Sequence, residues 1–222
     1  MKKYLLLKLI FFTLLVNNIC NAQKIDFSKF LPKGYVLLDT IYGDLNKDGS
    51  VDCILLIKGT DKENIVQDEY RGELDRNRRG LIVLFNKGDN YKVAITNFGC
   101  FSSENEDGGV YSPPELSLYI KKGNLYIHYA HGRYGYWKYT FRFQNSNFEL
   151  IGYDASDDSG PIVNNETSIN FLTKRKQIKE NTNKNAEGGD EIFKETWENI
   201  NINKLINLSD IKDFDKLDMS TY

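Results

Sequence analysis

The chain has 222 residues, with 29 Lys or Arg against 31 Asp or Glu, which gives a formal net charge of −2. A nucleic-acid-binding domain presents a basic footprint, so this composition argues against a nucleic-acid partner. The length is sufficient for one sizeable domain.

The first 22 residues have the pattern of a secretory signal. Lys2 and Lys3 give a positive start, residues 4–16 are mainly apolar, and small residues precede a cleavage point after Ala22. The apolar run is shorter than the roughly 20 residues of a membrane span. We therefore predict a secreted or periplasmic protein with no membrane span after cleavage, and with a net charge of −5 because three lysines are lost.

Cysteines leave two questions open. Cys20 raises the alternative of a lipoprotein, in which its thiol would carry a lipid. The residues before it, Asn18 and Ile19, disfavour this anchoring because they are not the small residues of a lipoprotein signal. Cys53 and Cys100 remain after cleavage, and their spacing does not decide between a disulfide and two free thiols.

Residues 23–173 are predicted to form a β domain, because apolar and aromatic runs alternate with turn residues. Runs 53–57 and 81–85 are apolar on both faces, which is typical of central strands. Run 137–144 alternates between aromatic and polar residues, as a half-buried strand does. Hairpins in series predict a mostly β fold, an antiparallel meander forming a sandwich or barrel-like sheet. The predicted strands are 35–38, 53–57, 81–85, 91–95, 116–120, 125–129, 137–144, 148–151 and 168–172.

The C-terminal part has a different composition. Residues 174–191 are rich in Lys, Asn, Glu and Gly and are predicted to be a flexible loop. Residues 192–222 recover apolar content and are expected to dock on the domain, with Trp197 buried. Ser209 is predicted to be the N-cap of a short C-terminal helix.

The most informative stretch is the turn at residues 44–52. Oxygen-bearing side chains stand at Asp44, Asn46 and Asp48, a glycine permits a sharp bend, and Asp52 closes the run. Calcium takes about six to eight oxygens at roughly 2.3–2.6 Å, and the carbonyl of Ser50 could add one. The turn therefore predicts a calcium site, since a cation would relieve the repulsion among the acids.

This turn, Asp44-x-Asn46-x-Asp48-Gly49-x-x-Asp52 after Gly43 and before an apolar strand, resembles the calcium loop of FG-GAP and VCBS-type proteins, known from integrin-alpha-like propellers. The whole chain also resembles small secreted bacterial proteins with a single such loop. Leu55 stands where helical calcium loops carry glutamate, which favours a strand–loop–strand site. With one loop and no blade-length repeat, a propeller is not expected. The resemblance implies calcium as the cofactor, and as its ligands the side chains of Asp44, Asn46, Asp48 and Asp52 and the carbonyl of Ser50.

A second candidate site lies at residues 128–137. Arg133, Tyr134 and Tyr136 could bind a glycan, since aromatic faces stack on sugar rings and guanidinium groups bind hydroxyls. His128 and His131 lack a third ligand for zinc. The charged residues of the run 75–80 could bind an anion or carboxylate through their guanidinium groups. We prefer the interpretation that they form structural ion pairs with acids elsewhere on the domain.

Two further groups of acidic residues allow a second cation site or a glycosidase-type carboxylate pair. They are Glu104, Glu106 and Asp107, and Asp154, Asp157 and Asp158. No nucleophile elbow, phosphate loop or zinc-protease motif occurs, so we do not expect an enzyme. We predict a calcium-stabilised binding or interaction domain whose partner is a protein or a glycan. The alternatives are a carbohydrate-binding module and a glycoside hydrolase.

Overall fold

The computed structural model describes residues 25–106 and 113–222 and is mostly β, as predicted. All strand pairings in the described part are antiparallel. Short 3-10 turns lie at Ser28–Phe30, Lys62–Asn64, Gly132–Tyr134, Leu208–Asp210 and Phe214–Lys216. The strands are β1 (Tyr35–Gly43), β2 (Asp52–Gly59), β3 (Ile65–Asp68), β4 (Gly72–Asp75), β5 (Arg79–Asn86), β6 (Tyr91–Phe101), β7 (Glu115–Lys121), β8 (Asn124–Ala130), β9 (Gly135–Gln144), β10 (Asn147–Ser159), β11 (Ile162–Asn170), β12 (Arg175–Asn181) and β13 (Phe193–Asn199).

Two sheets pack as a sandwich. One has four strands in the order β1-β2-β5-β6, and the other has seven in the order β13-β12-β11-β10-β9-β8-β7. The larger sheet follows the chain strand by strand, so it is the predicted meander. Its tight turn between β7 and β8 has positive φ at Lys122 (φ 53°) and Gly123 (φ 72°). The β3–β4 hairpin is a separate unit.

The main core lies between the sheets, and a second apolar layer covers the outer face of the smaller sheet. Ile54 in β2 faces the main core, whereas its neighbours Cys53 and Leu55 face the second layer with Phe27. Successive strand residues point to opposite faces, so both faces of β2 are buried, and β5 behaves in the same way. The prediction of central, doubly covered strands at 53–57 and 81–85 is confirmed. The larger sheet contributes Leu125, Ile127, Tyr129, Tyr139, Phe141, Phe148 and Leu150 to the main core.

Cys53 and Cys100 are both free and fully buried. Cys53 belongs to the outer layer of the four-stranded sheet and Cys100 to the core between the sheets. Burial raises the pKa of each thiol to about 12. The structure therefore decides the open question in favour of two separate thiols.

The prediction of a flexible loop at 174–191 is wrong in its first part, because Arg175–Asn181 forms β12. The polar side chains still belong to a regular ladder, since β12 pairs with both β11 and β13. Beyond it, the buried Asn181 side chain accepts hydrogen bonds from the N–H groups of Asn183 (2.9 Å) and Ile192 (3.2 Å). A continuing sheet thus orders a segment that has little apolar content of its own.

The C-terminal segment docks on the domain, but by other residues than predicted. Trp197 is 53% exposed, with the Arg175 guanidinium 4.8 Å from its ring centre. Phe214 is buried instead and stacks on Phe101 at 5.2 Å. The expected short helix is a pair of 3-10 turns, and Asn207, not Ser209, precedes the first of them.

The predicted signal segment 1–22 with Cys20, and Asp107, lie outside the described residues. Among the residues that the structure describes, no helix has the length and apolar character needed to span a membrane.

Candidate metal centre

The 44–52 turn connects β1 to β2, so the predicted strand–loop–strand setting is present. Gly43 lies directly against the β7–β8 hairpin, and a Cβ at this position would come within 2.6 Å of Ile120 Cγ2. Leu45 is 1% exposed and belongs to the main core. The turn is thus held from the inside by Leu45, while its polar residues remain nearer the surface.

Asp44 and Asn46 bend inward over the turn. The two carboxylate oxygens of Asp44 accept hydrogen bonds from the N–H groups of Asp48 (3.2 Å) and Gly49 (3.0 Å). The Asn46 side-chain oxygen also accepts from the Asp48 N–H, at 2.9 Å. Gly49 has a φ of +85°, a conformation that favours glycine. These bonds direct the oxygens into the loop instead of toward bulk water.

Asp52 is the buried member of the predicted ligand set, with 0% exposure. Its Oδ2 accepts from the N–H groups of Leu45 (2.9 Å) and Asn46 (3.2 Å), and its Oδ1 accepts from that of Asn86 (3.0 Å). No Lys or Arg in the described residues forms an ion pair with Asp52. Asp52 therefore has no countercharge among the described residues. Buried charges are normally paired or bound to a metal, which makes this carboxylate a candidate metal ligand.

Asp48 occupies the exposed rim of the turn. Its carboxylate accepts from the Ser50 N–H at 2.9 Å and from the Asn46 amide at 3.0 Å, and it pairs with the Lys87 ammonium at 3.2 Å. The Ser50 main-chain hydrogen bond is the largest influence, and together with Lys87 and Asn46 it lowers the Asp48 pKa to about 2. Asp48 is therefore ionised at any physiological pH.

The donor set fits an oxygen-bound cation in its chemistry. Both oxygens of Asp44 and the Oδ1 atoms of Asp48 and Asp52 each accept one hydrogen bond and keep a second lone pair. A side-chain amide and main-chain carbonyls are also at hand. However, no group of three or more His, Cys, Asp or Glu side chains in the described part of the chain is already arranged to hold a metal. Binding would thus require Lys87 to leave Asp48 and the oxygens to draw together.

The three residues predicted to bind a glycan do not lie in one site: Tyr136 is apart from Arg133 and Tyr134. Arg133 and Tyr134 line a cavity of about 320 Å³ together with Glu115 and His131. Tyr136 does not line it, because its ring packs against His128, 5.5 Å away, on the outer face of the seven-stranded sheet. The Nε2 atom of His131 is buried and has no hydrogen-bond partner in the described residues. His131, from the same 128–137 stretch, thus lies in the cavity with Arg133 and Tyr134.

A second cavity, of about 460 Å³, lies between the seven-stranded sheet and the C-terminal segment. Trp137 and Tyr153 contribute aromatic rings, and Asp215 and Asp218 contribute carboxylates from the covering segment. The Lys176 ammonium at this cavity donates to the main-chain oxygen of Tyr222 at 2.6 Å. No sequence motif indicates this cavity, because its two sides come from segments far apart in the chain.

The charge run 75–80 forms structural ion pairs, which was the preferred interpretation of the sequence. Asp75 pairs with Lys58 at 2.9 Å, and Arg78 pairs with Asp213 at 3.0 Å. The guanidinium of Arg79 is largely buried and donates to the Ser102 carbonyl at 2.9 Å. These arginines thus hold the beginning of β5 and the C-terminal segment in place.

Several described members of the two acidic groups are also engaged by neighbouring side chains. Glu104 lies 3.4 Å from the Lys58 ammonium, and Glu106 accepts from the Ser103 hydroxyl at 2.8 Å. Asp154 pairs with Lys138 at 3.2 Å. Asp157 and Asp158 lie within β10, not in a surface loop as their glycine-rich surroundings indicated.

No protein-family model, curated protein or solved structure matches this chain.

Proposed function

We propose that residues 44–52 bind a calcium ion that stabilises the β1–β2 connection of a secreted binding domain. The buried Asp52 carboxylate carries this proposal, since it has no cationic partner among the described residues. Asp44, Asn46 and Asp48 bring further oxygens into the same turn. A divalent cation would supply the missing countercharge.

The role of the ion would be structural. Asp52 links the turn to the end of β5 through the Asn86 N–H, and Leu45 links it to the core. Fixing the turn would therefore fix how β1, β2 and β5 meet. Extracellular calcium sites have dissociation constants on the order of 0.1–1 mM. A tenfold excess of the ion over that constant would add about 1.4 kcal/mol to the free energy of unfolding.

Thermal unfolding in calcium and in chelator tests this proposal. We expect calcium to raise the melting temperature of the chain from Gln23 onward, and Asp48→Ala to remove most of that increase. Asp89→Ala, in the exposed turn between β5 and β6, is the matched control and should keep the calcium response. A melting temperature that is equal in calcium and chelator would refute the proposal.

Glycan binding is a second candidate, supported by the cavity at Arg133 and Tyr134, where the His131 Nε2 atom has no hydrogen-bond partner among the described residues. A glycan array would test it, with loss of any signal in Tyr134→Ala and not in Tyr119→Ala, a half-exposed tyrosine outside that cavity. The glycoside-hydrolase alternative has less support, because Asp154 and Glu104 are engaged with lysines.

A further inference from the structure

Strand β13 forms one edge of the seven-stranded sheet, and every one of its residues is exposed. Phe193 and Trp197 are 36% and 53% exposed. Within residues 25–106 and 113–222, no strand pairs with the outer side of β13. An edge of this kind offers a row of main-chain N–H and C=O groups to another strand.

Hydrogen bonds just outside the two ends of β13 determine which of its groups face outward. The Thr182 N–H donates to the Ile192 carbonyl at 2.8 Å, and the Ile200 N–H donates to the Lys174 carbonyl at 3.0 Å. The register between β12 and β13 is continuous between these two points. Since bonded positions alternate in an antiparallel pair, the even-numbered residues bond to β12. The outward-facing main-chain groups are those of Phe193, Glu195, Trp197 and Asn199.

Two copies of β13 meeting antiparallel must match these outward groups with each other. A register centred on Thr196 does so over the whole strand, and it places Lys194 of each copy opposite Glu198 of the other. A register centred on Glu195 would instead set two glutamates opposite each other. Opposite charges directly across an antiparallel pair are stabilising, and like charges are destabilising.

We propose that β13 is a self-association edge that pairs with β13 of a second copy of this chain, centred on Thr196. The contact is isologous, so each favourable Lys194–Glu198 pairing occurs twice. Lysine on an edge strand usually discourages pairing, but here the glutamate of the second copy neutralises it. The same charge pattern disfavours partner strands that carry a positive charge opposite Lys194.

Charge reversal tests both the pairing and its register, with sedimentation velocity of the chain from Gln23 onward at increasing concentration. We expect a concentration-dependent dimer. Lys194→Glu alone and Glu198→Lys alone should each weaken dimerisation by tenfold or more. An equimolar mixture of these two variants should restore it as a heterodimer, because opposite charges again face each other.

A matched control is Lys184→Glu, an exposed lysine outside the strand, which should leave the dimer unchanged. Within one copy, Lys194 lies opposite Glu180 and Glu198 opposite Lys176, so thermal unfolding should show that each variant remains folded. If a single variant is unfolded, Glu195→Pro replaces it, since this change removes an outward N–H and no main-chain bond to β12. It also removes the 3.1 Å hydrogen bond that the Gln177 amide of β12 donates to the Glu195 carboxylate. A wild-type monomer at all concentrations would overturn the proposal, as would a dimer that is indifferent to these changes or a mixture that stays monomeric.

Discussion

The buried Asp52 carboxylate accepts a hydrogen bond of 3.0 Å from the main-chain N–H of Asn86. Asp52 opens β2, whereas Asn86 closes β5, the neighbouring strand. The same carboxylate also accepts from Leu45 and Asn46. One side chain therefore joins the acidic turn to the C-terminal end of the adjacent strand.

Asp52→Asn should destabilise the fold by about 1–3 kcal/mol, because an amide cannot accept all of these hydrogen bonds and leaves a buried N–H unsatisfied. The loss should appear in chelator as well as in calcium. Urea unfolding measures it, and Asp89→Asn in an exposed turn serves as the control. An unchanged unfolding midpoint in chelator would contradict the structural role of Asp52.

Lys87→Ala should increase calcium affinity by about two- to fivefold, because the Lys87 ammonium competes with the ion for the Asp48 carboxylate. The effect is small because both side chains are partly exposed. A calcium titration would detect it, with Lys62→Ala, in the turn before β3, as the control for the loss of one positive charge. Weaker calcium binding in Lys87→Ala would show that Lys87 supports the site instead of competing with calcium.

The pKa of Asp48 should be found near 2 by carboxyl NMR titration in chelator. Because the folded pKa lies below the ordinary value of about 3.9, its contribution to stability is present above about pH 4. That contribution is lost as the pH falls through 2. Asp48→Asn should lack this component of the acid-unfolding profile. An ordinary pKa would mean that the Ser50 N–H does not bond to this carboxylate in solution.

Cys53 and Cys100 should resist thiol reagents in the folded protein, because both are buried and burial raises the pKa of each to about 12. The thiolate is the reactive species. Mass spectrometry after labelling should show both residues modified only when urea unfolds the chain. A disulfide between them, even after oxidation, would contradict their placement on opposite faces of the sheet.

The sequence predicted the parts of the fold that have strong local patterns. The doubly apolar runs 53–57 and 81–85 indicated central strands, and 137–144 showed its buried face by alternation. Strands β12 and β13 were missed because they contain mainly Lys, Gln, Glu and Asn, whose pairing depends on the neighbouring strand and not on local propensity. Trp197 was expected to be buried because nothing local shows that it lies at an edge.

The candidate site was predicted as a set of residue types, and its supporting contacts were not. Asp44, Asn46, Asp48 and Asp52 do share one strand-to-strand turn. The roles of Asn86 and Lys87 depend on a strand about 35 residues further along the chain, so no spacing within the turn could indicate them. The turn contains two apolar residues, Leu45 and Val51, and the structure shows that Leu45 is the one that fixes it to the core.

Equilibrium dialysis against radioactive calcium, with chelator-treated protein beginning at Gln23, tests the central claim most directly. We expect one ion per chain with a dissociation constant of about 1 mM or lower, lost in Asp48→Ala and kept in Asp89→Ala. An absence of bound calcium at several millimolar, or equal binding by Asp48→Ala and the wild type, would contradict the assignment of residues 44–52 as the site.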